Sequence, residues 1–522
     1  MVTMIKVVYQ AGINYRISEL LHPHVRTGNQ SIHVVELLTL QSFQILHQRF
    51  YTSIFERIKQ MNWAQMKEII TEKFCHLALR LIGVTVSVLK VSSTNLEEYL
   101  QSKVYKDHNQ NRDHPCVYVA TQNGQAVLSK QEYVPAIIGV YNCADKYRLT
   151  APGGIKVRGN STTEYDDEKP YRIKFEKKQN MLGLHEGKPY KSWVLLLSCW
   201  NLVPDYMAFN LAKTIFDGKY YSSDCIFVNL YINGIYRGIY LLCEQSQAAR
   251  GRIDVNEPKK GEVQTNIGYL LELDNYTKLG KHPFFEIDEM PAVTDITGVS
   301  RMICSREYSI RSRFYSVEQE EFIHRYLDGV FTILYEAATT GKPLMLDEQQ
   351  QAISAEGTFE TGFDAVSAVM DLDSLANMLI LEELVQNYDV GEGSFYMAVD
   401  FSDNSKYPRL TFLAPWDFEW GYEEDPEAGY YAATFQRPIE DSDRSNGWFI
   451  LAMKLNGFQE IVKEKWRSFS KSRILNDTVD QVIRDCETLV NDLGKYAWKI
   501  RCAKMLGDYV RKRITWLDSQ WL

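Results

Sequence analysis

The chain has 522 residues, of which 45% are hydrophobic, enough for roughly two to four compact units and a large core. Acidic residues number 67 against 58 lysines and arginines, and this net charge of −9 argues against a protein built to coat nucleic acid. Nine scattered cysteines, without a C-x-x-C pair, argue against a zinc site or a disulfide framework and suggest a reduced, intracellular setting. The most apolar stretch, Leu81 to Leu89, falls well short of the ~20 residues of a membrane span. Met1 to Gln10 is too short and too weakly apolar for a secretory core. A soluble, cytoplasmic protein with no membrane and no nucleic-acid partner is expected.

In chain order, residues 1–112 read as a helical accessory region of unknown role. Leu37, Leu38, Leu40, Phe43, Ile45 and Leu46 fall at helical spacing there. From Asp113 the pattern changes to short strands separated by Gly, Asn and Asp turns. Cys225 to Ile232 and Ile235 to Leu242 flank Asn233-Gly234, which predicts a type I′ hairpin because both turn residues need positive φ. Tyr206 to Ile215 reads as a helix packed on the sheet. Leu344 to Gly362 is polar and reads as an irregular surface insertion. Asp371 to Ser374 offers caps for a helix running to about Gln386, and residues 446–522 are again helical. The expected fold class is α+β in two lobes, a β-rich one over 113–255 and a mostly helical one over 256–522 with a single late hairpin.

That late hairpin gathers acids. Ser394 to Asp400 is one strand, Ser402 to Ser405 the turn and Arg409 to Ala414 the return. Antiparallel pairing sets the segment before the first strand, Asn387-Tyr388-Asp389, beside the segment after the second, Pro415-Trp416-Asp417-Phe418-Glu419. Asp389 and Asp417 thus share one sheet edge, with Ser394 between them. Neighbouring carboxylates raise each other's pKa unless a cation intervenes. A Mg²⁺ held by one acid, with the other as base, fits the pattern; two loop caps or lysine-paired acids fit it as well. All ten histidines lie at or before His324, so chemistry beyond that point runs on carboxylates, hydroxyls or lysines. A second constellation is Gly153-Gly154 through Arg158-Gly159-Asn160-Ser161-Thr162, followed by Lys169 to Phe175. Gly, Asn and Ser let backbone amides approach an anion, and Arg158 can fork onto phosphate oxygens. Strand alternation puts Tyr171, Ile173 and Phe175 on one face and Arg172 with Lys174 on the other, where Lys174 either meets phosphates or is simply solvated. The glycines match neither a Walker loop nor G-x-G-x-x-G.

Taken in order, several segments closely resemble the CotH family, the spore-coat-type protein kinases. They are Ile155-Lys-Val-Arg-Gly-Asn-Ser-Thr162, Lys169-Pro-Tyr-Arg-Ile-Lys-Phe175, Asn180-Met-Leu-Gly-Leu184 and Lys191-Ser-Trp-Val-Leu-Leu196. Val228 through Glu244-Gln245, Asn387 through Tyr396 and Pro415-Trp-Asp-Phe-Glu-Trp-Gly421 complete the set. The resemblance runs from about Pro115 to the C-terminus. It implies an atypical bilobal protein-kinase-like fold that binds ATP and a divalent metal, Mg²⁺ or alternatively Mn²⁺. By that resemblance Lys174 holds the nucleotide's phosphates, and Asp389 accepts the substrate hydroxyl proton. Asp417 binds metal, with Ser394 at the position of a kinase's metal-binding Asn. Arg158, Asn160 and Ser161 line the phosphate side, and Glu244 and Gln245 sit near the adenine. Two places depart from the family pattern. Ser198 to Asp205 replaces a D-x-S-x-x-R-N-like stretch, and Glu419 stands where the second acid of W-D-x-D is usually Asp.

The resulting expectation is an ATP- and Mg²⁺-dependent kinase that transfers the γ-phosphoryl group to Ser or Thr of a basic, coat-like protein, with the spore coat a location implied by the resemblance. Two alternatives stand beside it: a kinase-fold transferase that moves AMP or glutamate, and a non-catalytic coat or scaffold protein.

Overall fold

The computed structural model describes residues 112–522 apart from 160–168, 198–201, 275–281, 437–442, 495–496, 498–499 and 501. All of these belong to one compact unit, 88–522; the helical reading of residues 1–112 falls almost wholly outside the described residues. The fold class is α+β, as the strand and helix patterning predicts.

The first half is a closed barrel. Its strands are β1 (Cys116–Thr121), β2 (Val134–Tyr141), β3 (Leu149–Val157), β4 (Tyr171–Gln179) and β5 (Tyr190–Leu196), then, after helix α1 (Val203–Phe216), β6 (Cys225–Ile232) and β7 (Ile235–Glu244). The order around it is β1-β2-β3-β4-β5-β7-β6, closed by parallel pairing of β1 with β6, Cys116 opposite Asn229. Closure leaves no free edge. The β6–β7 turn has both residues at positive φ, Asn233 at 51° and Gly234 at 78°, the I′ signature read from the sequence. On β4, Tyr171, Ile173 and Phe175 are buried while Lys174 is exposed, so the period-2 reading of that strand holds.

The second half carries more sheet than expected. Strands β8 (Gly268–Leu273), β9 (Phe284–Ile287), β10 (Met290–Thr294), β11 (Ser300–Ile303) and β12 (Arg306–Ile310) precede helix α2 (Val317–Thr339). The supposed irregular insertion holds a hairpin of β13 (Leu344–Leu346) and β14 (Ala352–Ser354). After helices α3 (Gly362–Val369) and α4 (Leu372–Val385), the late hairpin forms as β15 (Phe395–Asp400) and β16 (Thr411–Phe412). It is the end of a five-stranded sheet ordered β16-β15-β8-β12-β9. Strand β8, Gly-Tyr-Leu-Leu-Glu-Leu, is buried at every residue. A strand covered on both faces shows no alternation, which is why sequence pattern missed it.

Helix α4 starts where its caps predict. The Asp371 side chain accepts from the Ser374 N–H at 3.0 Å, and Gln386 closes the helix in the left-handed region at φ 46°. Nearly all of α4 is buried, making it the central post of this half. Helices α5 (Gly447–Ala452), α6 (Asn456–Ser472), α7 (Ile474–Glu487), α8 (Val490–Leu493) and α9 (Cys502–Trp521) complete it, matching the expected helical end. Among the described residues no helix is long and apolar enough to cross a membrane.

Candidate active site

The late hairpin does bring its flanking acids together. Pairing of Met397 with Phe412 fixes the register of β15 and β16. The turn after α4 holds Asp389, whose carbonyl accepts from the N–H groups of Glu392 at 2.9 Å and Gly393 at 3.2 Å. Ser394 then enters β15 at φ 56°, and its hydroxyl donates to Asp417 Oδ2 at 3.5 Å, the long end of a hydrogen bond. Ala414 at φ 56° and Asp417 at φ 67° share this left-handed conformation. Each such residue costs on the order of 1 kcal/mol or more and persists only where its surroundings over-determine it.

Helix α1 supplies those surroundings. Asp205 and Phe209 lie one turn apart on it and meet the same segment. Asp205 Oδ1 accepts from the Phe418 N–H at 2.9 Å. The Phe209 ring lies 5.3 Å from Trp416 and edge-on to the buried Phe418 at 6.1 Å. The Tyr422 hydroxyl donates to the Pro204 carbonyl at 3.3 Å, and the Ala414 N–H donates to the Tyr221 carbonyl at 2.8 Å. The segment Ala414 to Tyr422 is thus clamped to the first turn of α1 on one side and to the strand end on the other.

Three carboxylates gather here. Asp205 is pushed up to about 7, mainly by burial, then by Asp417 and Glu419; the Phe418 amide and Arg158 oppose. Asp417 opens to solvent yet lies deep among protein atoms. Loss of water around it raises its carboxyl, with Arg158 and the Ser394 hydroxyl holding it down. Asp389 is raised to about 6 by burial, and Asp417, Glu392 and Glu419 add to this against the Arg444 guanidinium. Arg444 pairs directly with Asp389 Oδ1 and stacks on the Tyr388 ring, 4.0 Å from its centroid. Arg158 acts on both Asp205 and Asp417 and sits 5.4 Å over the Trp416 ring.

Of the residues singled out in the sequence, Asp389, Asp417, Ser394 and Arg158 converge. Lys174 is exposed on β4, with Nζ 5.9 Å from the Tyr133 ring centroid. Asn160 and Ser161 lie outside the described residues. Glu244 is occupied within the barrel end: its oxygens meet Arg252 Nε at 2.9 Å and His185 Nδ1 at 3.0 Å. Gln245 follows β7 directly, and its amide oxygen is buried with no hydrogen-bond partner among the described residues. Sequence reading passed over Asp205 and Arg444. Asp205 closes the stretch that departs from the family pattern, and an acid in the first turn of a helix with a phenylalanine four residues on is the signal that marks a face able to meet another segment. No local pattern announces Arg444, which reaches Asp389 from 55 positions away.

The donor set suits a hard cation. Asp417 and Ser394 offer oxygen ligands, and among the described residues no group of three or more His, Cys, Asp or Glu side chains is arranged as a metal cage. Mg²⁺ in phosphoryl-transfer sites takes only one or two carboxylates from the protein and fills the rest with water and phosphate oxygens. The two described surface depressions, about 340 Å³ beside Asp480 and Arg511 and about 380 Å³ beside Lys178 and Arg250, contain none of these acids.

No curated protein matches this chain. Among solved structures, a Shewanella oneidensis MR-1 toxin–antitoxin complex of HipA, HipB and operator DNA is 9% identical. That alignment covers 64% of this chain and 61% of the other, so the chain spans about three-fifths of that protein's length; at a TM-score of 0.23 it is no basis for a shared fold. The family model described as CotH kinase protein matches residues 155–501, a span that runs from β3 through the paired acids to the last helices. The converging residues lie inside that span, and the chain belongs to the CotH family.

Proposed function

We propose that this chain is a phosphotransferase that uses ATP and Mg²⁺ to phosphorylate Ser or Thr residues of a protein. In this reading the barrel is the nucleotide-side lobe of a kinase-like pair and residues 256–522 form the other. The observation that carries it is the meeting of Asp389, Asp417 and Ser394 beside Arg158 in a CotH chain.

Phosphoryl transfer asks little covalent chemistry of a protein and much positioning and charge. Asp417 and Ser394 would hold the metal, which when bound neutralises charge on the polyphosphate. Arg158 faces the same acids and can reach the phosphate side. Asp389 would accept the proton of the substrate hydroxyl as its oxygen bonds to the γ-phosphorus and the bond to the ADP oxygen breaks. A base with pKa about 6 is largely ionised at neutral pH and close enough to it to move a proton. Arg444 keeps Asp389 oriented through one oxygen and leaves the other to the hydroxyl. An acidic chain suits a basic, coat-like Ser/Thr substrate.

The test is transfer of labelled phosphate from ATP with Mg²⁺ to a Ser-rich basic peptide. Transfer should be lost in Asp389→Ala and in Asp417→Ala; undiminished transfer in both variants, or a product whose intact mass shows AMP or glutamate in place of phosphate, overturns the reading.

A further inference from the structure

Arg172 belongs to no part of the site described so far, and its surroundings are unusual. It lies on β4 between Lys156 of β3 and Val194 of β5, and Val194 in turn faces Cys243 of β7. These four residues form one row across the barrel wall. The next row is Gly154, Lys174 and Ser192. Side chains in both rows share one face of the sheet. Arg158 links the two regions, since it acts on Arg172, on the Cys243 thiol at the end of the row and on Asp205 and Asp417.

Three cations of that face gather around one phenol ring. The Tyr133 ring lies over Gly154, where a Cβ would stand 3.0 Å from Tyr133 Cβ. Lys156 Nζ is 5.1 Å and Lys174 Nζ 5.9 Å from the ring centroid. Arg172 acts on the same ring. The groups that bear on the Arg172 guanidinium are Tyr133, Arg158 and Arg252, and it bears in turn on His282; no carboxylate is among them. Its Nε is buried with no hydrogen-bond partner among the described residues. Burial, Arg158 and Arg252 together hold its pKa below the usual range. Arginine keeps its charge in proteins, so a half-buried guanidinium with an unsatisfied Nε and no acid among the groups that bear on it is suited to take an anion. Arg252 also has one buried nitrogen without a partner among the described residues, but it is paired with a carboxylate, Glu244.

Resting on the ATP-dependent reading above, we propose that Arg172 is the principal anchor for the nucleotide's polyphosphate. Its guanidinium would fork onto phosphate oxygens from the barrel wall. Arg158 bridges from there toward Asp417, and Lys174 lies one row further along as an outer, solvent-screened charge. Arg172 binds and does no proton chemistry, so its loss should be felt by ligands that carry phosphates and not by the nucleoside.

The experiment compares ADP and adenosine, both without metal, by calorimetric titration of the full chain. Wild type should favour ADP. Arg172→Gln should weaken ADP by about tenfold to a hundredfold, the scale of a lost hydrogen bond to a charged group, and leave adenosine unchanged. Arg172→Lys keeps the charge and the aliphatic packing, so it provides a folded variant in which ADP weakens by less. Lys174→Gln should weaken ADP by only a few fold. A wild type that favours ADP, with ADP affinity unaltered in both Arg172→Gln and Arg172→Lys, overturns the arginine assignment and leaves the ATP reading standing. A wild type that binds neither compound without metal, and still binds neither when Mg²⁺ is added, overturns both.

Discussion

Charge is handled in two ways in this molecule. Glu383 on α4 and Arg513 on α9 are both fully buried and fully matched. Glu383 accepts the N–H groups of Tyr431 at 2.8 Å and Ala433 at 2.9 Å, while Arg513 holds the carbonyls of Glu383, Pro426 and Gly429. Glu244 and Arg252 pair in the same way at the barrel end, with the Ser192 carbonyl accepting from Arg252 at 3.1 Å, though Arg252 Nη2 is buried without a partner among the described residues. Around the candidate site the matching is less complete. Asp205, Asp389 and Asp417 crowd together, with Arg158 acting on two of them and Arg444 paired to Asp389. Arg172 lies on the barrel wall beside Lys156 of the neighbouring strand, and its Nε is buried with no hydrogen-bond partner among the described residues. A carboxylate cluster and an unsatisfied guanidinium are the places where a cation and an anion would be held.

The contrast is broken most directly at its two poles. Asp389→Ala should lower phosphoryl transfer by on the order of 10²–10⁴, the usual worth of a positioned base, while the circular dichroism spectrum of the folded chain stays unchanged. Arg513→Ala should do the reverse. It leaves Glu383 buried and alone, and should destabilise the chain by about 3–5 kcal/mol in urea unfolding. Transfer that falls only in proportion to the folded fraction of Arg513→Ala keeps the two roles apart.

A pH profile sharpens the comparison. Transfer should rise as pH increases through about 6, where Asp389 ionises. Arg444 holds that carboxyl down, so Arg444→Gln should move the rise to higher pH. The stability linkage runs the opposite way. Because the folded pKa of Asp389 is raised above the unfolded value of about 3.9, its contribution to stability is present at low pH and is lost as pH climbs through about 6. Urea unfolding from pH 4 to 7 should therefore show a shallower decline in Asp389→Asn than in wild type. The smallest change is expected for Asp205→Asn. The amide oxygen can still accept from Phe418, so transfer should change by only a few fold, and the repulsion on Asp417 is relieved. A loss as large as that of Asp389→Ala would make Asp205 a direct participant.

Much of the fold was legible because local rules were obeyed. Asn233-Gly234 made its turn, Asp371 capped its helix, and Tyr171, Ile173 and Phe175 alternated inward. Strand β8 was not legible, since burial on both faces removes the alternation that reveals a strand. In the site, Asp389 and Asp417 could be paired from the hairpin alone, because antiparallel register forces their segments together. Arg444 and Asp205 could not, since each reaches the acids through a long-range contact that leaves no trace in neighbouring residues.

Sequence alone therefore determined the barrel hairpin, the capped helix α4, the CotH resemblance and the acids at one hairpin edge, because turn chemistry, capping and antiparallel pairing are local. Tertiary structure decided which charges are matched and which are not. Glu244 and Arg172 look alike in the chain, an acid and a base on neighbouring parts of one barrel. Packing gives Glu244 a guanidinium and an imidazole, whereas the groups that bear on Arg172 among the described residues are a phenol and two other guanidinium groups. Electrostatic free energy depends on distance and surrounding water, and neither is written in the order of residues.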